Sequence, residues 1–145
     1  MKAIIQAPGK GTRYSARGSL MTFKARAGDT GGAFSFMERE IPAGGRMPPP
    51  HRHAGPESFY VLDGALEFLI DDEVVHARPG WFVLVPAGVA HTFGNRSDEP
   101  ARLLILHVPA ADAYFEGLHE LWSSPTPPTP EQERELQRRH GLEPA

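Results

Sequence analysis

Three histidines and a glutamate stand at spacings that suit one shared metal ion: His51, His53, Glu57 and, further along, His91. Three imidazoles and one carboxylate are a ligand set for a transition metal. His51 and His53 are two apart, so on a strand both side chains leave the same face with Cα atoms roughly 6.6 Å apart. Glu57 shares their parity, but a straight strand would carry it about 13 Å from His53. The chain must bend between them, and Ala54-Gly55-Pro56 supplies the punctuation for it. Glu57 then opens the next strand. His91 arrives from elsewhere in the fold, just after the tight turn Pro86-Ala87-Gly88. A set of four ligands leaves one or two coordination positions open, which separates a catalytic centre from a closed structural one. Iron, manganese, nickel, cobalt, copper and zinc all accept such ligands, and affinity alone does not choose among them.

The two stretches that carry these residues resemble the motifs of the cupin family. Gly45, His51, His53, Glu57 and Gly64 fit the first motif, G-x5-H-x-H-x3-E-x6-G, without departure. Gly80, Pro86, Gly88, His91 and Asn95 fit the second, G-x5-P-x-G-x2-H-x3-N, also without departure. The fifteen residues between the motifs, 65–79, are similar to the short spacing of single-domain microbial cupins. The flanking stretches GDTGGAFSFMERE and DEPARLLILHVP look like the quercetin dioxygenase-like branch of that family. The resemblance implies an all-β fold, a single cupin barrel (a double-stranded β-helix or jelly roll), with a C-terminal helical extension. It also implies one divalent metal per chain on His51, His53, Glu57 and His91, a homodimer, and oxygenative cleavage of a hydrophobic aromatic or enolisable molecule. Glu57 would then be both ligand and general base. Two alternatives stay open: an isomerase, decarboxylase or cyclase using the ion as a Lewis acid, and a small-ligand-binding barrel without catalysis.

The elements that must position these groups follow from periodicity. Residues 1–109 are read as the barrel, beginning with a short apolar strand at Ala3-Ile4-Ile5 and a Gly/Arg/Ser loop. Strands are expected at 20–27, 32–41, 57–62, 65–70, 74–77, 91–95 and 101–108. Asp63-Gly64 reads as a hairpin turn, and the apolar run Trp81–Val85 as a strand buried on both faces. Phe59 and Val61 share the parity of Glu57, and Phe93 that of His91, so the three are candidates for an apolar substrate pocket over the metal. His107 closes an apolar strand in phase with Leu103 and Ile105. It reads as a rim histidine and is kept as a fourth pocket candidate. His76, His119 and His140 read as surface residues, Gly45, Gly64, Gly80 and Gly88 as turn residues, and Asn95 as structural.

Residues 110–145 change period. Tyr114, Phe115, Leu118, Leu121 and Trp122 form one apolar stripe at helical spacing. A Pro-rich connector follows. A second helix has Thr129 as N-cap, Pro130 at its first position, Gln132 as capping-box partner and Gly141 as its left-handed stop. This helix is otherwise polar and is expected on the surface, so that a chain ended at Ser124 should keep both barrel and metal.

Composition bounds the rest. The chain has 145 residues, enough for one domain with modest extensions. Its 15 glycines and 15 prolines fall at turn-like intervals, as many short strands require. A net charge of -3 provides no electrostatic footprint for nucleic acid or an anionic membrane. With no cysteine, disulfide and thiolate chemistry are excluded. The stretch MKAIIQAPGKG lacks the apolar core of a secretory signal, and a cytoplasmic location is expected.

Overall fold

Alternation of inward apolar and outward polar residues builds two antiparallel sheets that face each other. The computed structural model describes residues 2–45 and 47–145. In chain order the elements are β1 (Thr12–Ala16), β2 (Ser19–Ala25), α1 (Ala27–Thr30), β3 (Ser35–Ile41), β4 (His51–Arg52), β5 (Glu57–Asp63), β6 (Leu66–Ile70), β7 (Glu73–Ala77), β8 (Phe82–Val85), β9 (His91–Gly94), β10 (Ala101–His107), α2 (Asp112–Trp122), α3 (Pro130–Arg139) and β11 (Glu143–Pro144). One sheet runs β1-β2-β3-β10-β5-β8 and the other β11-β4-β9-β6-β7. Phe59 of the first meets Phe68 and Phe93 of the second, each with ring centroids 5.0 Å away, so the two inner faces close on an aromatic layer.

Register arranges the inner face of the larger sheet in rows. Arg39, Leu103 and Val61 lie side by side, then Met37, Ile105 and Phe59, then Ser35, His107 and Glu57. The middle row is sealed, with none of its three residues more than 1% exposed. The last row is polar, and it places a carboxylate and an imidazole at one end of an apolar barrel.

Several local expectations differ from the structure. Ala3–Ile5 forms no strand: Ile5 is 94% exposed, because a triplet without a cross-strand partner gains nothing from being extended. The strand lies instead at Thr12–Ala16, inside the expected loop. Arg17 (φ 53°) and Gly18 (φ 78°) form its two-residue hairpin to β2, and two consecutive positive φ angles match the twist that joins antiparallel strands. Asp63-Gly64 is not a hairpin, since β5 pairs with β10 and β8 while β6 pairs with β7 and β9. Gly64 carries the chain from one sheet to the other, at a φ of 77°, where a Cβ would sit 2.5 Å from Pro100 O. Trp81–Val85 is not buried on both faces. β8 is an edge strand whose Val83 and Val85 point in, while Phe82 and Leu84 remain 61% and 53% exposed.

The C-terminal residues clasp the barrel. In α2, Phe115 packs on Phe23, and His119 Nδ1 accepts the Ser15 N–H at 3.0 Å, so His119 ties the helix to β1 and is half-buried rather than a surface group. Thr129 and Gln132 form the expected capping box of α3, and Gly141 follows it at φ 76°. α3 buries Leu136 (3% exposed) over Gly117, where a Cβ would come within 2.7 Å of Leu136 Cδ1. Beyond α3 the chain does something the periodicity did not announce: β11 pairs with β4, setting Pro144 opposite His51. Among the described residues, no helix is long and apolar enough to cross a membrane.

Candidate metal centre

Each ligand candidate is delivered by a different local device. β4 is a two-residue strand, and His51 is paired with His91 across it. The bend after His53 works because Gly55 has no side chain: a Cβ there would lie 1.9 Å from Val108 O. Glu57 begins β5, and His91 begins β9. The metal-binding atoms of His51, His53, Glu57 and His91 all lie within 4.8 Å of one another.

Hydrogen bonds fix which ring nitrogens face the centre. His53 Nδ1–H donates to Gly55 O at 2.7 Å and His91 Nδ1–H to Val89 O at 2.8 Å. A carbonyl only accepts, so Nδ1 carries a proton in both rings, and in the neutral form each Nε2 presents a lone pair inward. Both Nε2 atoms point at the same oxygen, Glu57 Oε1, at 3.1 Å. Without an ion these contacts hold only if a proton sits on Nε2, which makes the imidazole cationic and the contact a hydrogen bond to the carboxylate. With neutral rings, two lone pairs and a carboxylate oxygen this close need a metal ion among them. The donor set, the tautomers and the carbonyl partners behind the rings are those of a metal site, and the four residues fit a divalent transition ion.

The electrostatics agree. Burial, then the nearby His91 ring, pushes His51 down to about 4, so it is neutral and free to ligate over the ordinary pH range. The hydrogen bond to Glu57 raises His53 against the effect of burial. Burial alone would raise the Glu57 carboxyl, but His107, with hydrogen bonds from His53 and His91, outweighs it and holds the group well below the usual carboxylate range. His107 Nε2–H donates to Glu57 Oε2 at 2.8 Å, which leaves Oε1 facing the imidazoles.

A family model for the cupin domain matches residues 37–107. The chain belongs to the cupin superfamily. This cupin is 29% identical to quercetin 2,3-dioxygenase of Bacillus subtilis over 59% of its length and 25% of the relative's. It is 47% identical to acireductone dioxygenase of Rhodopseudomonas palustris over a shorter stretch, 30% of this chain and 28% of that one. The chain thus matches only about a quarter of the length of these curated relatives. Its fold is similar to that of KdgF from Halomonas sp., with a TM-score of 0.64 and 17% identity over 76% of this chain and 98% of that one.

Within the cupin barrel the pocket candidates divide. Phe59 and Val61 are 1% and 0% exposed and fill the barrel rather than line open space, whereas Phe93 keeps part of its surface free. His107 is not at the rim: it is 7% exposed, lies against Phe115 and grips Glu57. Asn95, fully buried, bonds Ile41 O and Glu99 O and accepts from Ser97, a purely architectural role. Two surface concavities, between α2 and α3 and beside Pro42 and Pro100, contain none of the ligand residues. One inward residue escaped the sequence reading altogether. Arg39 lies between Met37 and Ile41, in phase with both, and parity alone places it inside the barrel.

Proposed function

We propose that this cupin is a metal-dependent dioxygenase acting on a small aromatic or enolisable molecule. The observation that carries the reading is the convergence of His53 Nε2, His91 Nε2 and Glu57 Oε1, with neutral His51 beside them. The likeness to two dioxygenases supports it. His51, His53, Glu57 and His91 would hold one transition ion, which supplies an open coordination site and, if redox-active, a partner for dioxygen.

The chain's own residues do the rest. In this reading Glu57 Oε1, which lies among the ligand atoms, takes the proton of the substrate hydroxyl. The His107 hydrogen bond at Oε2 keeps the carboxylate from rotating. An acidic hydroxyl, such as a phenol or enol, gives its proton to a carboxylate most readily. Phe93 offers an apolar wall beside His91.

The test is dioxygen uptake by metal-loaded protein with a panel of flavonols, catechols and other enolisable compounds. Glu57→Gln should keep much of the metal and lose turnover by ~10²–10⁴-fold. Equal turnover at equal metal content would reduce Glu57 to a ligand. Turnover without dioxygen, supported by zinc, would put Lewis-acid chemistry in place of oxygenation.

We also propose that two copies associate through the outer face of the larger sheet. Tyr60, Phe82 and Leu84 are 44%, 61% and 53% exposed there, with Trp81, 48% exposed, just before β8, beside a strand edge that is unpaired among the described residues.

A further inference from the structure

The barrel contains a cation that its own carboxylates do not neutralise. Arg39 points inward from β3, beside Leu103 and Met21, both fully buried. Among the described residues its guanidinium makes one hydrogen bond, Nε–H to Ser19 Oγ at 2.9 Å, and no ion pair. The other arginines facing carboxylates behave differently: Arg17 is paired with Glu133, and Arg102 with Glu38 and Asp63. A charge surrounded by protein without a counterion is costly, and such sites normally acquire a partner.

The unpartnered Nη groups are not sealed. Among the described residues, the single buried side-chain nitrogen or oxygen without a partner is His107 Nδ1. The Nη donors therefore face space that solvent reaches, and Arg39 as a whole is half-buried. The guanidinium carbon lies 5.5 Å from the centroid of the Phe93 ring, which is likewise half-buried. Phe93 follows His91 by two residues on the same face of β9, roughly 6.6 Å along the strand. Ligand, aromatic wall and cation thus form a sequence along one side of the inner space. The charges of Arg39 and Glu57 also sense each other: burial, then Arg17, lowers Arg39 to about 10, partly countered by Tyr114 and Glu57.

We propose that Arg39 anchors a carboxylate or equivalent anionic group of the substrate, while the substrate's ring or chain lies on Phe93 and its hydroxyl reaches the His/Glu centre. This rests on reading that centre as the substrate site. It narrows the substrate class to small hydroxylated aromatic or enolic acids. A guanidinium fork binds carboxylate in two parallel hydrogen bonds, and a neutral amide of the same shape cannot match it.

The experiment compares para-hydroxybenzoate with para-hydroxybenzamide on zinc-loaded protein without dioxygen, by calorimetry and by the arginine Nε–H signals in NMR spectra. The acid should bind about tenfold or more tighter than the amide and shift the Arg39 signal. Arg39→Gln should abolish the preference at unchanged zinc content, and Arg39→Lys should restore part of it. Equal binding of acid and amide, or no binding of the acid at millimolar concentration, would overturn the proposal. So would a preference that survives Arg39→Gln, because the carboxylate would then be on the metal. Should Arg39→Gln not fold, the acid-specific shift of Arg39 in the parent protein decides. Failure of the oxygenase reading would show only in dioxygen uptake with a redox metal, so the two can fail separately.

Discussion

The behaviour of single side chains here is set by what stands behind them. Gly55 O and Val89 O hold the Nδ1 protons of His53 and His91, and this turns both Nε2 atoms inward. His51 has no such clamp among the described residues, and its neutrality comes from burial and the adjacent ring. That difference has a measurable pH signature. With His51 lowered from 6.5 to about 4, the unfolded chain binds a proton there that the folded chain refuses between those two values. Metal-free protein should therefore lose stability as pH falls from about 6.5 toward 4, and His51→Gln should remove about 1–2 kcal/mol of that loss after discounting for partial exposure. His53, raised by Glu57, acts in the opposite direction, stabilising below 6.5 and losing that contribution as pH rises past its folded value. Comparing the parent with His51→Gln isolates the one residue. Denaturant unfolding of both proteins at pH 5 and 7.5 is the measurement, and identical pH slopes would refute the assignment.

Among the elements, the shortest carry the most consequence for the site. β4 has two residues, one of them His51, and it is held between β9 and the C-terminal β11. Ala145 N–H adds a bond to Pro50 O at 3.1 Å. Residues 125–145 are thus part of the frame of the metal centre rather than a surface appendage. A chain ended at Ser124 should still form both sheets, because the aromatic layer and the rows of the inner face lie outside the deleted segment. It should melt earlier, since Leu136 no longer covers α2, at a cost of about 2 kcal/mol. It should also hold metal roughly tenfold more weakly, through the loss of the β11–β4 backbone bonds at about 1 kcal/mol each. Chelator competition measures this, and unchanged affinity would show that β4 holds its position without the tail.

The whole molecule presents one face that a monomer has no use for. β8 ends the larger sheet, with Phe82 and Leu84 outward, Tyr60 opposite Phe82 on β5, and Trp81 at the strand's start. A two-fold pairing of this patch would bury the aromatic groups and the free edge together. Phe82→Glu with Leu84→Lys should shift the protein from dimer to monomer in light scattering coupled to size exclusion. Metal content should be unchanged, because Val83 and Val85, not the outward residues, face the interior. A parent that already runs as a monomer would end the proposal.

How much of this was written in the chain depends on range. The barrel class came from the resemblance of the two ligand-bearing stretches to the cupin motifs. The sequence alone determined four ligand candidates, because these follow from local spacing: parity within a strand, a Gly-Pro bend, a Pro-x-Gly turn. It determined the α3 caps for the same reason, since Thr129, Pro130, Gln132 and Gly141 act within one helix. Only the tertiary structure decided which strands are neighbours. Asp63-Gly64 suits a hairpin turn as a dipeptide, yet β5 finds better partners in β10 and β8, and the turn becomes a crossing between sheets. His107 faces Glu57, and Arg39 faces Phe93, through register and sheet packing that no local pattern records. Trp81–Val85 shows the limit from the other direction: an apolar run reads as buried, and edge position, a property of the whole sheet, leaves half of it in water.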